Sequence, residues 1–376
     1  MASIKTRTTR TGDRRYDVRY RTPAGKVTTR TFARRRDADK FAATIEADKA
    51  RGDWLDPTGA TRTFDEWAAT WRETTSHLRP STLAGYTSAL EHHLAPRLGS
   101  TPLAKIDHPT VVAILSDLTE NGAAPGSVAQ VRHVLRSILG LAVKSGAIRH
   151  NPVQGARIPR ATRKEMHFLT PEQVADLAAE VASGGRYPTY GLLVRFTAWT
   201  GLRAGEVAGL RVGRLDLMRR RVHVAETLTE VRGQLHEGPT KSYENRAVPV
   251  PSALCDELAE LMAGRGPDEY VFTSPDGGPM RHTNFYRRHY KPAVLASTAP
   301  NGARFHDLRH TYAAFLVAQG APPVAVMRRL GHSTIVVTMN TYGHVFPEMD
   351  EQITDGIEDL YNSTQPTPRA TVHRLG

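Results

Sequence analysis

His306-Asp307-Leu308-Arg309-His310, then Leu330-Gly331-His332-Ser333, then Tyr342, form the stretch on which the reading of this chain turns. It gathers imidazoles, a guanidinium and a phenol in the last quarter of 376 residues. Far upstream, Thr200-Gly201-Leu202-Arg203-Ala204-Gly205-Glu206 and Thr240-Lys241-Ser242 add a second guanidinium and an ammonium. Breaking a phosphodiester needs a nucleophile, positive charge facing the non-bridging oxygens and a proton for the departing oxygen. Two arginines, a lysine, two histidines and a tyrosine can supply all three. A metal-dependent enzyme would gather carboxylates instead. Here only Asp307, inside the His-x-x-Arg word, and Glu206, three positions after Arg203, lie nearby in sequence. The set therefore reads as a reaction centre with no metal and no cofactor. His306 and His310 are four apart, a spacing that can put two zinc ligands on one helical face. Arg309 between them, and the lack of a third ligand, weigh against zinc.

The charge balance points to the same kind of substrate. The chain carries 50 Lys and Arg against 38 Asp and Glu, a formal +12. Within residues 1–36, twelve basic side chains, Arg7, Arg19, Arg21 and Arg30 among them, stand against only Asp13 and Asp17. A basic end of this density reads as a polyanion-binding element, with nucleic acid the foremost polyanion. A solvated basic tail or a localisation signal is the plainer reading. Cys255 is the only cysteine, which excludes an internal disulfide and a four-cysteine zinc site and fits a reducing interior. The N-terminus lacks the apolar core of a signal peptide, and no run approaches the roughly 18 apolar residues of a membrane span. A soluble protein with no membrane partner is expected.

Around the reactive words the periodicity divides the chain. Tyr16, Val18 and Tyr20 alternate with charged residues as in a half-buried strand. Pro23-Ala24-Gly25 gives a turn, 27–32 a returning strand and 4–7 a third. Ala38, Phe41, Ala42 and Ile45 then show helical spacing that would cover the apolar side of such a sheet. From 64 to 148 the pattern is helical: Phe64, Trp67 and Trp71 on one helix, Leu83 to Leu94 on a second, Val111 to Leu118 on a third, Val128 to Ala142 on a fourth. Residues 149–167 lack apolar periodicity and contain Arg157, Arg160, Arg163 and Lys164, the pattern of a basic linker. Thr170-Pro171-Glu172-Gln173 predicts a helix start with a capping box. Beyond it, helices over 192–210, 252–262, 284–290, 306–317 and 324–330 alternate with strands over 221–224, 227–231 and 246–250.

The expectation is a multidomain, mainly α protein. A small domain of three strands and a helix spans 1–56, an all-α domain 61–150, a basic linker 151–167, and a mixed, mainly α domain with a small antiparallel sheet 168–362. A flexible tail follows over 363–376.

The order Arg203, Lys241, His306, Arg309, His332, Tyr342, with the words Thr-Gly-Leu-Arg-Ala-Gly-Glu, His-Asp-Leu-Arg-His-Thr, Leu-Gly-His-Ser and Thr-Tyr-Gly-His at 341–344, resembles the tyrosine recombinase (phage integrase) family, arm-binding type. The resemblance implies a site-specific recombinase that integrates, and excises, a mobile element. In it Tyr342 attacks the scissile phosphate to form a 3′-phosphotyrosyl intermediate, and Arg203 and Arg309 fork onto the non-bridging oxygens. Lys241, in a β-hairpin turn, protonates the leaving 5′ oxygen. His306 accepts the tyrosine proton and His332 donates a hydrogen bond to the phosphate. Arg246 is the rival to Lys241, and Glu206 either orients Arg203 or faces solvent. His310 and His344 are read as structural or peripheral. Tyr342 is one of twelve tyrosines. Without its place ten residues after His332, packing would be its ordinary role.

The same resemblance implies double-stranded DNA as partner, at core and arm attachment sites, with the all-α domain as a core-binding (SAM-like) module. It implies a homotetramer on DNA with 360 and its neighbours docked on an adjacent protomer, and an excisionase or directionality factor and a DNA-bending protein as accessory partners. It also implies action in a bacterial host cytoplasm, at the nucleoid. Three other readings stand beside it: a chromosome or plasmid dimer resolvase of the same family, a non-catalytic DNA-binding regulator on the same scaffold, and a metal-dependent nuclease.

Overall fold

The computed structural model describes residues 2–22, 25, 27–51, 57–158, 165–183, 187, 189–240, 245–346, 357, 358, 360 and 361. The chain divides into two compact units, Met1–Lys164 and Glu165–Gly376.

The first unit holds two separate cores. Strands β1 (Ser3–Thr8), β2 (Arg14–Arg21) and β3 (Val27–Phe32) form an antiparallel sheet in that order, and helix α1 (Arg35–Arg51) covers it. Val18 pairs with Ile4 on one side and Arg30 on the other, so all three share the face turned towards α1. Val18, Tyr20, Ala38 and Ile45 make the buried centre. Phe41 meets Tyr20 edge-on at 5.5 Å and Phe32 at 5.1 Å. The period of two leaves Arg7, Arg19 and Arg21 on the opposite, outer face. Arg30 is different: its guanidinium lies over the Phe32 and Phe41 rings at 5.4 and 5.0 Å.

Helices α2 (Pro57–Thr61), α3 (Phe64–Glu73), α4 (Pro80–Ala89), α5 (Ala95–Leu98), α6 (His108–Glu120) and α7 (Pro125–Lys144) enclose the second core, centred on Phe64, Trp67, Leu94, Val111, Leu135 and Ile138. Thr63 and Glu66 close a capping box on α3, and Asp107 accepts the Thr110 amide at 2.9 Å to open α6. The single helix expected over 83–94 is interrupted by a π-turn, Leu90–Leu94, in which the Ala95 amide reaches back to the Leu90 carbonyl. Pro96 explains it. With no N–H it cannot bond four residues back, and the helix widens by a residue ahead of it. A second π-turn, Tyr286–Tyr290, precedes Pro292 in the same way.

The second unit starts at α8 (Pro171–Ser183), capped as expected: the Gln173 amide donates to Thr170 Oγ1 at 3.2 Å and the Thr170 amide to Gln173 Oε1 at 3.0 Å. α9 (Thr189–Thr200) and α10 (Ala204–Ala208) follow. β4 (Leu215–Asp216), β5 (Arg221–Val224) and β8 (Arg246–Pro249) form one antiparallel sheet, and β6 (Glu226–Val231) pairs with β7 (Gln234–Pro239) in a hairpin. The turn of that hairpin is Arg232-Gly233, both at positive φ, the geometry a two-residue hairpin loop demands. The β6–β7 turn thus lies upstream of Lys241, the residue expected in a hairpin turn. Lys241 falls between β7 and β8, strands of different sheets, and itself lies outside the described residues. α11 (Ser252–Met262), α12 (His282–Phe285), α13 (Lys291–Ala296), α14 (Asp307–Ala318), α15 (Pro323–Leu330) and α16 (Ile335–Tyr342) complete the unit. Its core runs through Leu193, Phe196, Val222, Val248, Leu258, Phe272, Phe285, Phe305 and Leu308. No helix among the described residues is long and apolar enough to cross a membrane.

Candidate active site

Two glycines shape the backbone on which the site is built. Gly201 ends α9 at φ +66°, and a Cβ there would stand 2.3 Å from Tyr312 Cδ1. Gly331 caps α15 in the left-handed region, where its Cβ would meet Arg246 at 3.0 Å. The Gly331 cap lets the His332 amide bond the Met327 carbonyl at 3.1 Å, the closing bond of a Schellman motif. It also turns the Leu330 and Gly331 carbonyls back towards the arginines.

Arg309, in the first turn of α14, is 2 % exposed and donates through Nη1 to the Gly201 carbonyl at 2.6 Å and through Nη2 to the Leu330 carbonyl. Arg203, the residue before α10, donates through Nη2 to the Gly331 carbonyl at 2.9 Å and through Nη1 to Glu206 Oε1 at 2.8 Å. Two guanidiniums thus join the word at 200–206 to the words at 306–310 and 330–333, more than a hundred residues downstream of it. The planar fork suits this, since each can hold backbone carbonyls and keep further N–H groups for an anion. Burial and the neighbouring Arg203 pull Arg309 down to about 9.

Glu206 is the counter-charge. Its carboxylate is fully buried and accepts Arg203 Nη1, the Arg203 amide at 2.8 Å, and both terminal nitrogens of Arg246 at 2.9 and 2.7 Å. Burial pushes its pKa up, but the Arg246 and Arg203 hydrogen bonds and charges win and hold it at about 2. Arg246, on β8, also donates to the Arg329 carbonyl at 3.1 Å. Its guanidinium is committed to the Glu206 carboxylate and the end of α15.

Tyr342, the last residue of α16, is 1 % exposed. Its Oη lies 2.8 Å from His310 Nδ1. The His332 ring stacks parallel to it, 6° between planes and 6.2 Å between centroids, with Nδ1 bonded to Thr338 Oγ1 at 2.9 Å. His306 meets His310 perpendicularly at 4.9 Å. Burial raises the Tyr342 phenol to about 12, although Arg309 and Arg203 oppose it. Burial first, then neighbouring positive groups, lower His306 and His332 to about 4. The His306 and His332 imidazoles are accordingly neutral at pH 7. An entering phosphodiester would offset the arginine charge and favour their protonation.

Arg203, His306, Arg309, His332 and Tyr342, with Glu206 behind Arg203, are brought together as expected. Lys241, Arg160, Arg163 and Lys164 lie outside the described residues. Arg157 is exposed beside a cavity also lined by Arg132 and Arg136. His344 is exposed and touches only the Phe168 ring among the described aromatic contacts. His310, read from sequence as structural or peripheral, makes the direct hydrogen bond to Tyr342. Its adjacency to Arg309 was the sole available signal. No group of three or more His, Cys, Asp or Glu that could hold a metal occurs among the described residues.

Two stretches of the chain agree with this site. The phage integrase family model matches residues 167–349, and the phage integrase central domain model matches 64–158. The chain belongs to the phage integrase family. Among curated relatives, the ICEBs1 integrase of Bacillus subtilis is 26 % identical over 72 % of this chain and 76 % of its own length. The integrase of Mycobacterium phage D29 is 27 % identical over 89 % of this chain and 90 % of its own. Among solved structures, the Tn1549 transposon integrase in complex with transposon right end DNA superposes with a TM-score of 0.67 at 20 % identity, covering 80 % of this chain and all of that one. The lambda integrase tetramer bound to a Holliday junction gives 0.57 at 19 % identity, covering 89 % and 94 %. These likenesses bear out the fold read from the sequence.

Proposed function

We propose that this integrase-family chain is a site-specific DNA recombinase that cuts and rejoins DNA at attachment sites to integrate a mobile element. The observation that carries the reading is a buried tyrosine, Tyr342, hydrogen-bonded to an imidazole and standing in a cluster with Arg203 and Arg309. Tyr342 Oη attacks the scissile phosphorus, and a 3′-phosphotyrosyl link conserves the bond energy, so rejoining needs neither ATP nor metal. Arg203 and Arg309 turn their remaining N–H groups to the non-bridging oxygens, where charge grows in the transition state. His332 donates to the same phosphate, and Glu206 with Arg246 holds Arg203 in place. Lys241 protonates the leaving 5′ oxygen.

The exposed outer arginines of β1 and β2 serve an arm site, and the helical domain with the basic linker serves the core site. Two DNA footprints on one chain raise avidity. Strand exchange between two duplexes uses four protomers, with a directionality factor and a DNA-bending protein as accessory partners, in a bacterial cytoplasm. The integrases of Tn1549 and lambda are similar to this chain and were solved on DNA, lambda's also as a tetramer.

The test is a nicked suicide duplex built from the sequence flanking the coding gene, where an attachment site is expected. Incubation with the full chain should trap a covalent complex in EDTA as in magnesium, and Tyr342→Phe should abolish it. A covalent complex that persists in Tyr342→Phe refutes the mechanism.

A further inference from the structure

We propose that His310, rather than His306, takes the proton of Tyr342 as its phenolic oxygen attacks the phosphorus. The inference rests on the recombinase reading and adds to it the identity of the base. Geometry carries it. His310 Nδ1 lies 2.8 Å from Tyr342 Oη, the rings are 5.6 Å apart at 63°, and both residues are buried, at 9 % and 1 % exposure.

Each other imidazole near the phenol is placed for something else. His332 lies parallel to the Tyr342 ring, with Nδ1 bonded to Thr338. His306 meets the His310 ring perpendicularly at 4.9 Å, and among the described hydrogen bonds the one to Tyr342 Oη comes from His310. A general base must be within about 2.6 to 3.2 Å of the group it deprotonates, and His310 meets that distance.

The environment fits the task. A phenol raised to about 12 by burial stays protonated at neutral pH, so it must lose its proton during attack rather than before it. Burial keeps His310 below the usual histidine range, hence neutral and able to accept. Nδ1 as acceptor requires the tautomer with its proton on Nε2. Asp307, fully buried and ion-paired with Arg304 at 2.7 Å, favours the imidazolium once it forms, while burial and the charges of Arg304 and Arg309 oppose it and ready it to return the proton.

The step balances. The Oη–P bond forms, the P–O5′ bond breaks, the Oη proton passes to His310 Nδ1, and the 5′ oxygen takes a proton from the Lys241 ammonium. Rejoining reverses each transfer: the 5′ hydroxyl returns its proton to the lysine, and the imidazolium reprotonates the departing phenol.

The experiment measures single-turnover formation of the covalent complex by the full chain on the suicide duplex. Tyr342→Phe is the control for the recombinase reading, which fails if that variant still forms the complex, whatever His310 does. His310→Asn leaves an acceptor oxygen where Nδ1 stood but cannot hold a proton; His310→Ala removes both. Both variants should fall by about 10²-fold or more with non-covalent DNA affinity retained. Should His310→Ala lose DNA affinity, His310→Asn, closer in shape, decides. Installing the more acidic 3,5-difluorotyrosine at position 342 should then shrink the His310→Asn defect about tenfold or more, because less of the barrier is proton removal. A merely structural histidine would not sense nucleophile acidity. Wild-type rate in His310→Asn, or a defect that difluorotyrosine leaves unchanged, overturns the proposal.

Discussion

Replacing Glu206 by Gln removes the one negative charge that Arg203 and Arg246 share, and the cost can be worked from the site. The carboxylate is fully buried and accepts four hydrogen bonds from those two residues. Held at about 2 against an ordinary 4.5, it is worth about 3 kcal/mol at neutral pH, at roughly 1.4 kcal/mol per unit. Breaking a buried ion pair from one side costs about 3 to 5 kcal/mol by direct comparison, so the two routes agree. The sign is that of a depressed acid. The stabilisation is fully present above the unfolded value of 4.5 and is lost as pH falls from there towards 2. Native-state hydrogen exchange of peptides from α9 and α14 reads it within the second unit alone. Glu206→Gln should exchange about a hundredfold faster at pH 7, with the gap constant down to pH 5 and narrowing below 4.5. A difference under tenfold at pH 7, or a gap that closes between pH 6 and 7, would refute the reasoning and point to a histidine instead.

Gly331→Ala places a side chain in a left-handed conformation that costs about 1 to 2 kcal/mol, with its Cβ 3.0 Å from Arg246. Covalent cleavage should drop at least tenfold while gel-shift affinity for the core duplex holds, because the Leu330 and Gly331 carbonyls that aim the arginines are displaced. In the amino-terminal sheet, Arg19→Ala and Arg21→Ala should weaken arm-site binding and lower its salt slope by about one each. Arg30→Ala, which removes a guanidinium from two aromatic rings, should chiefly lower the melting temperature. An equal loss of arm-site affinity in Arg30→Ala would contradict its placement.

Much of the architecture was legible because it rests on local patterns. The alternation of Tyr16, Val18 and Tyr20, the capping box at Thr170 and the apolar spacing of α7 are each decided by neighbours a few residues away. The misreadings have the opposite character. A strand over 234–239 carries His236, Glu237 and Gly238 and shows little apolar alternation; only pairing with β6 makes it one. That pairing sets a hairpin turn at Arg232-Gly233 that the sequence reading had not placed. The π-turn at Leu90–Leu94 leaves the apolar spacing intact, so Pro96 was its only sign.

The sequence by itself determined the inventory of the site: which arginines, histidines and tyrosine meet, in what order, and to which family they belong. That is possible because the chemistry of a phosphodiester restricts the side chains, and the glycines beside them are needed for backbone positions open to few other residues. Tertiary structure alone decided the assignments within that inventory. Whether Glu206 faced solvent or Arg203, whether Arg246 was free or committed, and which of His306 and His310 touched Tyr342 all depend on distances between elements far apart in the chain. Two histidines four residues apart look equivalent in sequence, and only the placement of α16 against α14 puts Tyr342 Oη on His310.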